Sequence, residues 1–183
     1  LADIGKFLLG RDAAGYSTLS GSFHEMAPRN KAAVAATEMA LLDALTRQAG
    51  IPLWRLYGAR PKRLRTDITI VVGSLEETEA SALRFRKLGF RAYKIKIGKD
   101  ETLDLKRVLA VARIVPGATL ILDANQGFSG DQTLKFLKAL KRFGVVPDLV
   151  EQPVPRDDWE GLKRVTRLSE VPICADESVK SLD

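Results

Sequence analysis

The stretch that decides the fold is Ala92-Tyr-Lys-Ile-Lys-Ile97, a helix-forming run over 101–115, and then Thr119-Leu-Ile-Leu-Asp123. The two flanking runs are short, apolar and rich in β-branched residues, so they read as strands. The segment between them is closed by Pro116-Gly117 and reads as a helix. The same alternation continues outward on both sides. Upstream, Asp67-Ile-Thr-Ile-Val-Val72 reads as a strand and 76–88 as a helix ended by Gly89. Downstream come a helix over 131–143 with Asp131 as its expected N-cap, and a strand Asp148-Leu-Val-Glu151. A helix over 157–169 and a strand Pro172-Ile-Cys-Ala-Asp176 follow. Five strands thus alternate with four helices at a repeat of roughly 25 to 28 residues, the pattern of a parallel α/β sheet with right-handed crossovers. An open doubly wound sheet and a closed eightfold barrel both fit that alternation. The polar residues at the strand ends favour the barrel.

Before Thr66 the pattern differs. Residues 28–49 read as a helix, started at Pro28 and Asn30 and stopped by Gly50-Ile-Pro52. Leu53-Trp-Arg-Leu-Tyr-Gly58 reads as a short second helix and Arg60-Pro-Lys-Arg-Leu-Arg65 as a linker. The first 27 residues contain several Gly and Ser, and are expected to be mostly loop with one helical fragment. His24, the only histidine, reads as a surface residue of this region.

Composition narrows the function classes. The chain has 183 residues, 45% of them hydrophobic, and a net charge of +6. Its basic residues are interspersed with acidic ones and form no aromatic-basic module, so nucleic acid is not an expected partner. No run of about 18 apolar residues is present, and no membrane association is expected. The start lacks both a signal-peptide order and an initiator Met, so the chain is expected to begin inside a longer protein. Cys174 stands alone, which excludes an intrachain disulfide and suits a cytoplasmic setting.

Each later strand ends in charge. Lys94 and Lys96 lie on the second strand, Asp123 on the third, Glu151 on the fourth and Asp176 on the fifth. Alternation puts Lys94 and Lys96 on one face, with Tyr93, Ile95 and Ile97 on the other. Ile121, Asp123 and Asn125 share a face, as do Cys174 and Asp176. In a barrel, inward residues at C-terminal strand ends converge on one mouth. Three neighbouring carboxylates repel one another unless protons or a cation intervene. All-oxygen donors suit Mg²⁺ or Mn²⁺ rather than Zn²⁺. Two lysines on one face are expected to depress one pKa and so supply an amine base. A base beside a divalent ion suits removal of a weakly acidic proton next to a carboxylate, through an enediolate. Taken singly each motif has a structural reading: a solvated Lys-x-Lys edge, a turn at Asp123, a helix cap at Asp176. Their common phase in successive βα units favours a site.

These residues resemble the enolase superfamily, in its muconate-lactonizing subgroup. Tyr93-Lys-Ile-Lys-Ile-Gly98 is similar to its Lys-x-Lys strand. Leu122-Asp-Ala-Asn-Gln-Gly127, Val150-Glu-Gln-Pro153 and Ala175-Asp-Glu-Ser178 are similar to its three metal strands, in order. Ala32 to Gly58 resembles the end of its capping domain. The resemblance implies an α/β, (β/α)8-type TIM barrel of which the first five strands are present, preceded by the end of an α+β capping domain. The capping part would be 1–60 and the barrel part 61–183, with the remainder missing. It implies Asp123, Glu151 and Asp176 as metal ligands for Mg²⁺, with Mn²⁺ as the alternative. Lys96 would be the acid/base, with Lys94 tuning it and holding the substrate carboxylate, and Asn125 would stand behind them. Among members, the wording is most like the dipeptide epimerases, which are isomerases. Cycloisomerases, o-succinylbenzoate synthases and N-acylamino acid racemases share the frame, and an inactive fragment of such an enzyme is the third reading. The implied partners are a small carboxylate, namely a dipeptide, and further copies of the chain in a homo-oligomer. An opposite-face lysine on a sixth strand is expected beyond Asp183.

Overall fold

The computed structural model describes residues 2–58 and 62–180. The chain divides into two compact units, Leu1–Leu64 and Arg65–Asp183.

The first unit is helical. It holds α1 (Ala2–Leu8), a 3₁₀ turn (Ala13–Gly15), α2 (Tyr16–Met26), α3 (Lys31–Gln48) and α4 (Leu53–Leu56). The long helix begins where the sequence indicated, with the Asn30 side chain accepting from the Ala33 N–H. The expectation of a mostly irregular N-terminus is corrected. Residues 16–26 form three turns of helix despite Gly21, three serines and a threonine, because Leu19 and Phe23 are buried with Ile4, Val34 and Leu41. Tertiary burial overrides weak local propensity here. His24 sits on α2 rather than in a loop, 3.3 Å from the Glu38 carboxylate on α3. Of the expected linker, residues 60 and 61 lie outside the described residues, and 62–65 have no regular structure.

The second unit is a parallel sheet with crossover helices. Its strands are β1 (Ile68–Ile70), β2 (Ala92–Lys96), β3 (Thr119–Asp123), β4 (Leu149–Glu151) and β5 (Ile173–Cys174). Between them run α5 (Leu75–Lys87), α6 (Glu101–Ile114), α7 (Gly130–Arg142) and α8 (Trp159–Leu168). The strand order is β1-β2-β3-β4-β5, all parallel. An open doubly wound sheet would reverse its order at a switch point. This sheet does not, and so forms part of a (β/α) barrel. Tyr93, Ile95, Leu120, Leu122 and Val150 are buried and pack with Ala82, Phe85, Val108, Val111 and Phe136 of the helices. Burying that face turns Lys94, Lys96 and Asp123 to the other side, as the period of two requires.

One capping expectation is corrected. Ser129, not Asp131, caps α7, in a reciprocal box with Gln132. Asp131 instead pairs with Arg164 of α8 at 2.8 Å.

Candidate active site

The register sets the site. Lys96 pairs with Asp123, Asp123 with Glu151, and Glu151 with Cys174, so four inward side chains lie in one row at the C-terminal strand ends. Lys94 is two residues below Lys96 on the same face. From there its Nζ reaches up and across to Glu151 at 2.7 Å and Asp123 at 3.1 Å. The Nζ of Lys96 donates to Asp123 Oδ2 at 2.6 Å and to Asn125 Oδ1 at 2.5 Å. Asp123 is 1% exposed, against 29% for the Lys96 side chain, so the carboxylate forms the floor and the ammonium faces outward.

The charges respond to this packing. Burial acts to lower the Lys94 pKa, but hydrogen bonds to Glu151 and Asp123, and their charges, outweigh it and raise it above the usual lysine range. The expected mutual depression of the two lysines is therefore not what governs Lys94, which its bonds to the two carboxylates hold charged. Burial acts to raise the Asp123 pKa, but donation from Lys96 and Lys94 holds its carboxyl below the usual value.

The turns beyond the strands are strained. Asn125, Gln126 and Gln152 have φ of 42°, 71° and 34°, in the left-handed region. Such residues cost on the order of 1 kcal/mol each and persist where their surroundings over-determine them. Here Gln126 N–H donates to Gln152 O at 2.8 Å and Asn125 N–H to Asp123 Oδ1 at 3.1 Å. The turns after β2 and β3 touch through glycine. A Cβ on Gly127 would lie 2.4 Å from the Gly98 carbonyl oxygen, and one on Gly98 would lie 2.6 Å from that of Ala124.

Asp176 follows β5 and is exposed. Its N–H donates to Gln152 Oε1 at 2.8 Å, and the Ser178 N–H donates to the same oxygen at 3.1 Å. Its carboxylate joins no ion pair among the described residues. The structure thus gathers Lys94, Lys96, Asp123, Glu151 and Asn125, and leaves the Asp176 carboxylate outside that cluster. Among the described residues no three His, Cys, Asp or Glu side chains are gathered as metal ligands. The Lys94 ammonium lies between Asp123 and Glu151, and that of Lys96 between Asp123 and Asn125.

Sequence reasoning missed three neighbours. Gln152 is fully buried and ties the β4 end to the loop over 176–178, also donating to Ser178 Oγ at 2.8 Å. Its place beside Glu151 was the available signal. Glu177 accepts from Asn125 Nδ2 at 3.2 Å, while its Oε2 is buried without a partner among the described residues. Arg107 of α6 donates to the carbonyl of Lys96 at 2.8 Å, and helix periodicity gives no hint of that contact.

Lys94 and Lys96 therefore pair with Asp123 and Glu151, while among the described residues the Asp176 carboxylate joins no ion pair and Glu177 Oε2 has no partner. Such a surplus of hard oxygen donors at the ends of β3, β4 and β5 suits a divalent cation.

Comparisons with known proteins bear on this arrangement. Residues 77–183 match the family described as "Enolase C-terminal domain-like". Residues 1–58 match "Mandelate racemase / muconate lactonizing enzyme, N-terminal domain". The chain is 54% identical over 161 residues to a hydrophobic dipeptide epimerase of Citrifermentans bemidjiense, covering 84% of this chain and 44% of the relative. It is 40% identical to the L-Ala-D/L-Glu epimerase of Bacillus subtilis, covering 94% of this chain and 48% of the relative. A crystal structure of the dipeptide epimerase from Enterococcus faecalis V583, complexed with Mg and the dipeptide L-Leu-L-Tyr, superposes with a TM-score of 0.85. It is 33% identical and covers 96% of this chain and 49% of that one. The chain spans about half the length of the curated relatives it matches.

Proposed function

We propose that this chain, which belongs to the mandelate racemase/muconate lactonizing enzyme family of the enolase superfamily, supplies the metal ligands and one acid/base of a dipeptide epimerase. The observation that carries the reading is the row Lys96–Asp123–Glu151 at adjacent strand ends, with Lys94 bridging both carboxylates. Relatives named as dipeptide epimerases support the choice of substrate class.

In this reading Asp123, Glu151 and Asp176 hold a divalent cation, Mg²⁺ first and Mn²⁺ as the alternative. The cation, when bound, supplies positive charge against the negative charge that develops on the substrate carboxylate. Binding it requires Lys94 to give up part of its hold on Asp123 and Glu151, and requires Asp176 to turn inward from its exposed position. Lys94 then has an ammonium to offer the substrate carboxylate. Lys96, as the neutral amine, takes the proton from the carbon next to that carboxylate and becomes an ammonium. Asn125 keeps the Lys96 Nζ aimed by accepting a hydrogen bond from it through Oδ1, and Glu177 fixes which end of the Asn125 amide faces the lysine. Epimerisation needs a second group on the opposite face of the substrate to return the proton.

The first unit is assigned, in the same proposal, to the end of the capping domain, and residues 65–183 to the barrel. No helix among the described residues is long and apolar enough to cross a membrane. A cytoplasmic homo-oligomer remains the expectation, on the single cysteine and on the kinship.

The test is a screen of L,L-dipeptides with the full-length protein and Mg²⁺, read by chiral chromatography. The expected result is L,D product that disappears with excess EDTA. Cyclised or dehydrated product without epimer would favour the cycloisomerase or synthase reading. No turnover of any carboxylate despite tight Mg²⁺ binding would remove the proposal.

A further inference from the structure

Arg107 is the largest fully buried side chain among the described residues, although it is an arginine. It pairs with Asp104, 1% exposed, one turn earlier on α6 at 2.9 Å. Burying such a pair costs desolvation that apolar residues would avoid, so it is a poor device for stability alone. Its contacts indicate what it does instead. The last paired residues of β1 and β2 are Ile70 and Ile95. One step further, where Val71 and Lys96 would form the next rung, the two strands part. The guanidinium fills that gap, donating to Lys96 O at 2.8 Å and to Val71 O at 2.6 Å. Its Nε donates to Thr78 Oγ1 of α5 at 2.8 Å. Asp104 then takes hold of the chain just beyond Lys96. Its Oδ2 accepts from the N–H groups of Gly98, Lys99 and Asp100 at 2.8, 3.1 and 3.3 Å.

We propose that Arg107 and Asp104 are a positioning pair that fixes the backbone at Lys96 and just beyond it, and so sets where its ammonium stands. The proposal rests on the acid/base role given to Lys96 above. The planar, forked guanidinium suits this task because it bridges two carbonyls and one carboxylate at once, which a lysine ammonium cannot do in one plane. Displacing a reacting group by about 1 Å can cost on the order of a hundredfold in rate. The loss should therefore fall on kcat rather than on substrate affinity.

The experiment uses the full-length protein with the double substitution Asp104→Leu/Arg107→Met, which leaves no unpaired buried charge, and with Arg107→Lys. Folding is checked by circular dichroism. The double variant is expected to fold and to keep KM within about threefold while kcat falls at least about tenfold. Exchange of the α-proton in D₂O should fall more from the epimer whose proton Lys96 removes than from the other. Arg107→Lys, which keeps the charge but not the fork, should recover only part of kcat. A folded double variant with wild-type kcat, or with equal loss from both epimers, would overturn the inference. A wild-type protein that exchanges no dipeptide would instead defeat the functional reading. The positioning claim is then decided by the ¹³Cε signal of Lys96, assigned by its loss in Lys96→Arg. A shifted signal in the double variant supports the claim and an unshifted one overturns it.

Discussion

Glu151 and Asp123 share the ammonium of Lys94, at 2.7 and 3.1 Å, on adjacent strands whose register places the two carboxylates side by side. That arrangement determines how each residue should respond to change. Glu151→Gln keeps the size of the side chain and removes one charge. It should weaken Mg²⁺ binding by at least about tenfold, because hard cations are held chiefly by ligand charge. Titration calorimetry on the full-length protein measures this, and an unchanged affinity would remove Glu151 from the proposed ligands. That these charges share a face was legible in the sequence because period-two alternation fixes the face of Lys94, Lys96 and Asp123. What each charge touches was not legible. That Lys94 is held charged by two carboxylates, and that Glu177 reaches Asn125, depend on side-chain reach across strands, which spacing along one strand does not report.

The elements that support these residues owe their placement to a few backbone approaches. The turn after β2 and the turn after β3 meet at Gly98 and Gly127, with φ of 99° at Gly98. A methyl group at Gly127 would stand 2.4 Å from the Gly98 carbonyl oxygen and 2.7 Å from its Cα, both backbone atoms that cannot swing aside. Gly127→Ala should therefore destabilise the fold by about 1–3 kcal/mol, the usual range for overpacking. Thermal unfolding compared with wild type checks it. Retained stability would mean that the two turns can separate without cost. The strands and helices of the second unit were legible because each keeps one period and ends in Gly, Pro or a capping residue. The cap of α7 was misplaced by two residues because Asp131 and Ser129 are both good caps, and only the reciprocal bond with Gln132 distinguishes them. Helix α2 was missed because its helicity comes from burying Leu19 and Phe23 rather than from local preference.

At the scale of the molecule, alternation alone left two α/β architectures open, and the consecutive strand order resolves them. A barrel laid down in this order brings the ends of β2, β3 and β4 into one row, which makes isolated motifs such as Lys-x-Lys meaningful together. The third carboxylate shows the limit of that reasoning. Phase put Asp176 with the others, but the pairing of β5 with β4 ends at Cys174, opposite Glu151, and the loop beyond it turns on hydrogen bonds to Gln152. The central claim is that Lys96 moves a proton at one face of a substrate held at this row. The most direct test is α-proton exchange in D₂O by the full-length protein, wild type against Lys96→Ala, starting separately from each epimer with Mg²⁺ present. The account predicts exchange by the wild type, and a loss of about 10²- to 10⁴-fold from one epimer in the variant with Mg²⁺ affinity retained. Undiminished exchange from both epimers in Lys96→Ala would contradict it.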